Sequence, residues 1–204
     1  MMLIVFEGLD GVGKSTVING VAKRLNAKRM RTPPPLLNEA RKKCASLSTR
    51  AEEALFDLGN MMASDEMQRE ENQLMICDRY AISTDVRRIV SRHNNQADIL
   101  EEIFDWEWPK HLYRPLLNIH LCVNEKIRQQ RVRLRGNMTL DEKRLETDAE
   151  YRTAILIGYS EMCDITLDLT GLDEDQAVNS VMAYLRNLFH RVDLNPFSDD
   201  SNLN

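Results

Sequence analysis

The stretch Met2-Leu3-Ile4-Val5-Phe6-Glu7-Gly8-Leu9-Asp10-Gly11-Val12-Gly13-Lys14-Ser15-Thr16 decides the fold. Its first half is a short, nearly continuous apolar run, the pattern of a strand covered on both faces. Its second half satisfies G-x-x-x-x-G-K-[ST] over Gly8–Ser15, the phosphate-binding loop. Each residue type has a physical task there. Gly8, Gly11 and Gly13 let the backbone turn tightly and aim N–H groups at phosphate oxygens. Behind the loop, Val17, Ile18, Val21 and Leu25 form one apolar face, so a helix opens near Lys14 and adds its positive N-terminal end. Lys14 is expected to reach the β- and γ-phosphates of ATP, with Ser15 ligating Mg²⁺ and Val12 and Thr16 in the same cradle.

Outward from this unit, Lys28–Thr32, Leu74–Cys77, Leu117–Val123 and Ile165–Leu169 read as further strands. Helical patterns occupy Leu36–Ala45, Arg50–Glu71, Asp85–Arg92, Ala97–Trp106, Glu125–Arg133, Thr147–Met162 and Glu174–Arg191. The alternation predicts an α/β, three-layer P-loop fold with a parallel five-stranded sheet flanked by helices. Residues 1–191 are expected to form a single domain with a lid near 134–148, where polar Arg135–Asp148 reads as a surface loop. Residues 192–204 read as a loosely held tail.

Composition narrows the function classes. The chain has 204 residues, 43% hydrophobic and 29% charged, with a formal net charge of −5, which argues against broad coating of nucleic acid. No stretch approaches a membrane span, and the first residues read as a core strand with no leader in front of it. The four cysteines, Cys44, Cys77, Cys122 and Cys163, lack metal or disulfide spacing, so a cytoplasmic setting is expected. Basic residues cluster in 23–50 and 126–144, as a local positive field around polyphosphate requires. No Asn-Lys-x-Asp stretch reads guanine, and the chain is short for a motor, which leaves a small-molecule kinase.

These residues resemble the thymidylate kinase family of nucleoside monophosphate kinases. Phe6-Glu7-Gly8-Leu9-Asp10-Gly11-Val12-Gly13-Lys14-Ser15-Thr16 is similar to that family's opening, and Asp78-Arg79-Tyr80 with Ser83 to its D-R-Y-x-x-S motif. Arg31-Thr32-Pro33 resembles its Arg-x-Pro turn, and Arg131-x-x-x-Arg135-Gly136 the entry to its lid. Asp78 follows an apolar run, so it sits at a strand's carboxyl edge and can organise Mg²⁺ waters or orient the acceptor. Arg79 and Arg31 are candidate phosphate clamps.

The resemblance implies further roles. A P-loop without an internal arginine takes one from the lid, for which Arg131, Arg133, Arg135, Lys143 and Arg144 are candidates; Arg135 is placed at the chemistry and Arg131 on ATP. Phe56 aligns with a residue that stacks on the acceptor base, and Asn60 stands where the family has an arginine that reads the base edge. Asp10 and Tyr80 complete the acceptor set. The expected activity is ATP-dependent phosphorylation of a pyrimidine nucleoside monophosphate. The opening points to dTMP. The alternative is UMP, CMP or their deoxy forms, since Arg-x-Pro-Pro, Leu58-Gly59-Asn60 and Ser83-Thr84 look like the UMP–CMP kinases of this group. A deoxynucleoside kinase and a non-catalytic nucleotide binder are the remaining rivals. The family also suggests a homodimer.

Overall fold

The computed structural model describes residues 2–70 and 73–191, so the tail expected at 192–204 lies outside the described residues. Five parallel strands, β1 (Met2–Glu7), β2 (Lys28–Arg31), β3 (Leu74–Asp78), β4 (Leu117–Cys122) and β5 (Ile165–Asp168), form one sheet in the order β2-β3-β1-β4-β5. The chain leaves β1 toward one side and crosses to the other after β3. The crevice at the carboxyl ends of β1 and β3 is therefore where the strand order turns back, the place open α/β sheets offer to ligands.

Alternate residues of the central strands face opposite layers. Ile4, Phe6, Ile76, Ile119 and Leu121 pack in the larger core with residues of α1 (Lys14–Arg24), α4 (Ala81–Arg92), α5 (Gln96–Phe104), α8 (Ala149–Met162) and α9 (Glu174–Arg191). Leu3, Val5, Met75 and Cys77 turn the other way, onto Ala63 and Met67 of α3 (Thr49–Arg69), Tyr80 and Leu112. Two helices, α2 (Asn38–Ala45) and α6 (Glu125–Arg135), border the carboxyl edge of the sheet. The four cysteines are free.

Two expectations change. Arg135–Asp148 is not an unbroken loop: it contains α7 (Leu140–Thr147). Thr139 accepts from the Glu142 N–H at 3.2 Å and Glu142 accepts from the Thr139 N–H at 2.8 Å, a capping box that starts a helix in a stretch with little apolar periodicity. Helix α4 also starts at Ala81, one turn before Asp85, because Tyr80 and Ala81 are fully buried and anchor its first turn.

Candidate active site

Gly8, Gly11 and Gly13 have φ of +134°, +90° and +96°, so the loop after β1 has the left-handed turns that its glycines permit. Gly8 also has no room for a side chain: a Cβ there would lie 2.3 Å from the Leu121 carbonyl oxygen. The loop is braced from α6. Arg128, 2% exposed, donates to the Asp10 carbonyl at 3.1 Å while Glu125 neutralises it. Arg131 donates to the Val12 carbonyl at 3.3 Å. Arg131 also borders a side cavity of about 240 Å³ together with Val12, Gly13, Thr16, Leu172 and Asp173, next to the phosphate loop.

The loop opens onto a cleft of about 400 Å³. Asp10, Lys14 and Ser15 form its floor, Asp78 and Arg79 come from the end of β3, and Arg31 and Pro33 from the end of β2. Arg41 and Phe56 line it from α2 and α3, Ser83, Thr84 and Arg87 from α4, and Arg135, Asn137, Thr139 and Glu142 from the α6–α7 region. Lys14 is 6% exposed and folds back to donate to the Leu9 carbonyl at 3.2 Å, with Asp10 at 3.9 Å. Burial and the nearby Arg79 pull its pKa down to about 8.

Arg79 adopts φ +67°, and its guanidinium spans the cleft wall. It donates to Asp10 Oδ1 at 3.0 Å, Ser83 Oγ at 3.1 Å and Tyr159 Oη at 3.0 Å. This pairing holds the Asp10 carboxyl well below the usual carboxylate range. Ser83 donates in turn to Glu7 Oε2, whose other oxygen accepts the Tyr80 N–H at 2.9 Å. With its proton committed to Glu7, Ser83 accepts from Tyr159 at 3.0 Å. Glu7 is fully buried, which pushes its carboxyl up to about 7.

Of the expected residues, Asp10, Lys14, Ser15, Arg31, Phe56, Asp78, Arg79 and Arg135 line this cleft, and Val12, Gly13, Thr16 and Arg131 border the side cavity. Two of the expected acceptor residues line neither. Tyr80 is fully buried, with its ring 5.7 Å from that of Trp108, so it supports the wall from behind. Asn60 is 3% exposed and donates to Thr84 Oγ1 at 3.0 Å. Thr84 therefore faces the cleft and Asn60 stands behind it; Gly59, against Pro33 and Pro34, draws this turn of α3 inward. Arg135 is held by Glu142, a partner 1% exposed, and Arg133 by Glu146. Arg41 lies over the Phe56 ring, 5.5 Å from its centroid.

Sequence reasoning did not single out Glu7, Arg41, Thr84, Arg87 or Arg128 as site residues. The four-residue spacing of Ser83 and Arg87 is the one local signal, since it puts both on one side of α4.

Ser15 and Asp78 line the cleft together, and Asp78 Oδ1 is buried with no hydrogen-bond partner. An unsatisfied carboxylate oxygen in a cleft that also holds a hydroxyl suits a hard divalent cation. Among the described residues no group of three or more His, Cys, Asp or Glu forms a cage for a metal. That donor set matches Mg²⁺ held by one or two protein oxygens and completed by phosphates.

The thymidylate kinase family model matches residues 6–168. The chain is 28% identical over 173 residues to UMP-CMP kinase 2, mitochondrial, of Homo sapiens; the match covers 78% of this chain and 36% of that protein, so the chain spans about a third of the relative's length. Among solved structures, a thymidylate kinase from Candida albicans superposes with a TM-score of 0.66 at 18% identity, covering 92% of each chain. A deoxyadenosine kinase from M. mycoides gives a TM-score of 0.63 at 20% identity over 91% of this chain and all of that one. At these identities the structural likeness establishes the shared fold. No helix among the described residues is long and apolar enough to cross a membrane.

Proposed function

The chain belongs to the thymidylate kinase family and is a phosphotransferase; from that premise we propose that it transfers the γ-phosphoryl group of ATP to a pyrimidine nucleoside monophosphate. One observation carries the acceptor class. Lys14, Arg31, Arg41, Arg79, Arg87 and Arg135 line the cleft against three carboxylates, Asp10, Asp78 and Glu142. Such an excess of cations suits two phosphorylated substrates facing each other, whereas a nucleoside acceptor brings no phosphate to neutralise.

In this reading the P-loop amides and Lys14 hold the donor phosphates. The side cavity at Arg131 takes the adenosine end of ATP. Ser15 and Asp78 would hold Mg²⁺, which would supply charge neutralisation to the donor phosphates. Arg79 and Arg31 grip the acceptor phosphate, with Asp10 fixing the Arg79 fork in line with the donor. Arg135 exchanges Glu142 for the transferring group and stabilises the charge spread over its oxygens. Phe56 stacks on the acceptor base.

The opening motif supports dTMP as acceptor. A second reading, UMP or CMP and their deoxy forms, is favoured by a specific observation: among the described residues Pro33 and Phe56 are the only apolar side chains that line the cleft, whereas a 5-methyl group needs an apolar seat. The similarity to UMP-CMP kinase 2 supports the same choice. The test is ADP release from ATP and Mg²⁺ with dTMP, dUMP, CMP, UMP, dCMP and thymidine in turn. Release stimulated by one or more monophosphates and not by thymidine is expected. ATP binding without stimulation by any of them would sink the proposal.

A further inference from the structure

Glu7, the last residue of β1, is fully buried, so it reaches a ligand in the cleft only through other groups. Its two oxygens hold Arg79 by both ends. Oε1 accepts the N–H of Tyr80 at 2.9 Å, at the peptide that follows Arg79 and its left-handed φ of +67°. Oε2 accepts from Ser83, whose oxygen accepts from Arg79 Nη1 at 3.1 Å. One carboxylate thus fixes the main chain beside Arg79 directly and its guanidinium through a single hydroxyl.

The protons of this cluster have one complete arrangement, and it needs Glu7 ionised. Arg79 Nη1 carries two hydrogens, one for Ser83 and one for Tyr159 at 3.0 Å. The two hydroxyls lie 3.0 Å apart and own one proton each. With the Ser83 proton on Glu7, Tyr159 donates to Ser83 and every donor has an acceptor. A proton on Oε2 removes that acceptor and adds a donor. Ser83 must then turn its own proton to Tyr159, and the phenol proton has no acceptor within the cluster. A surplus buried donor is costly. Ser83 and Tyr159 are buried, whereas Arg79 is 17% exposed at the cleft, so Arg79 is the member that can yield.

Taking Arg79 as the acceptor-phosphate clamp proposed above, we infer that Glu7 is a positioning residue for that clamp: its ionised carboxylate sets the direction of the hydrogen bonds that aim the Arg79 fork. The groups around it are Lys14 of α1, Cys77 and Asp78 of β3, Arg79, Ser83 of α4, His120 of β4, and Tyr159 and Cys163 at the end of α8. Burial pushes both thiols up and His120 down to about 4, while it holds Glu7 at about 7. Lys14 follows at about 8.

Glu7→Gln keeps the shape of the side chain and an oxygen for Tyr80, but presents an amide N–H to Ser83, as protonated Glu7 presents its O–H. The test is the KM for ATP and for each monophosphate of the panel above that the wild type phosphorylates, between about pH 5.5 and 8. At the upper end the acceptor KM of Glu7→Gln is expected to exceed the wild-type value by about tenfold or more, with the ATP KM within about twofold. At the lower end the two proteins are expected to converge, because wild-type Glu7 is itself protonated there. The acceptor phosphate, which titrates at about 6, is common to both and cancels in the ratio. Ser83→Ala cuts the link without placing an amide in the core. It is expected to show the same widening with pH, and Glu7→Gln added to it should raise the acceptor KM no further. A ratio to wild type that stays constant with pH in both variants, or an equal rise for ATP and acceptor, overturns the inference and makes Glu7 a packing residue. Turnover of no monophosphate by the wild type overturns the kinase reading itself, and this inference with it.

Discussion

Glu7 and His120 are partners in register on the neighbouring strands β1 and β4, and both are buried. Burial displaces the two in opposite senses: the Glu7 carboxyl rises from 4.5 to about 7, and the His120 imidazole falls from 6.5 to about 4, with the nearby Lys14 adding to the fall. Between about pH 4.5 and 6.5 the folded pair therefore carries one proton, on Glu7. The unfolded pair also carries one, on His120. Linkage makes stability depend on the difference in bound protons, so the pair contributes almost no slope in that window. Each substitution exposes the other partner. In Glu7→Gln the unfolded chain holds the extra proton, and stability rises with pH through the histidine range. In His120→Asn the folded chain holds it, and stability falls as pH rises from about 4.5 through about 7. Shifts of about 2.5 units at 1.36 kcal/mol each imply swings of about 3 kcal/mol in opposite directions. Urea unfolding of both variants, the double variant and the wild type across this range measures the slopes directly. Raised Asp85 and other carboxylates are common to all four proteins and cancel in the differences. Single variants whose profiles run parallel to the wild type would refute the reasoning.

Further consequences concern single residues. Lys14→Ala is expected to lower turnover by about a thousandfold in a steady-state assay, since a preorganised cation at the phosphates is lost. In the unmodified protein, ATP affinity measured by titration should weaken as pH rises through about 8, because the free Lys14 loses its proton there. Gly8→Ala should lower stability by about 3 kcal/mol or more in denaturant unfolding, since its Cβ would meet the Leu121 carbonyl at 2.3 Å with φ already positive. Thr84→Val leaves the buried Asn60 amide without its acceptor, which should lower stability by about 1–3 kcal/mol by the same assay.

The central strands β1, β3 and β4 were legible because they are short apolar runs bounded by turns, a pattern that needs no tertiary information, whereas β2, Lys28–Arg31, has one apolar residue and was marked only by the prolines that follow it. The P-loop was legible for a related reason: its chemistry is local, set by glycines and one lysine over eight residues. Helix α7 was not, because its start rests on a reciprocal cap between Thr139 and Glu142 and its hold on the body rests on ion pairs from Asp141 and Glu142 to Arg87 and Arg135. Periodicity cannot register such contacts. Asn60 shares a helix face with Phe56, four residues earlier, yet only the approach of Pro33 and Pro34 to Gly59 decides that one faces the cleft and the other is buried. Arg128 was hidden among several basic residues of one helix, and only the packing of α6 against Asp10 distinguishes it.

The central claim is that this cleft joins two phosphates. ATP labelled in its γ-phosphoryl group, incubated with the protein, Mg²⁺ and each pyrimidine nucleoside monophosphate in turn, should pass its label to the corresponding diphosphate with at least one of them, at a rate far above that of hydrolysis. Label recovered as inorganic phosphate, or retained in ATP, with every one of these monophosphates would contradict the account.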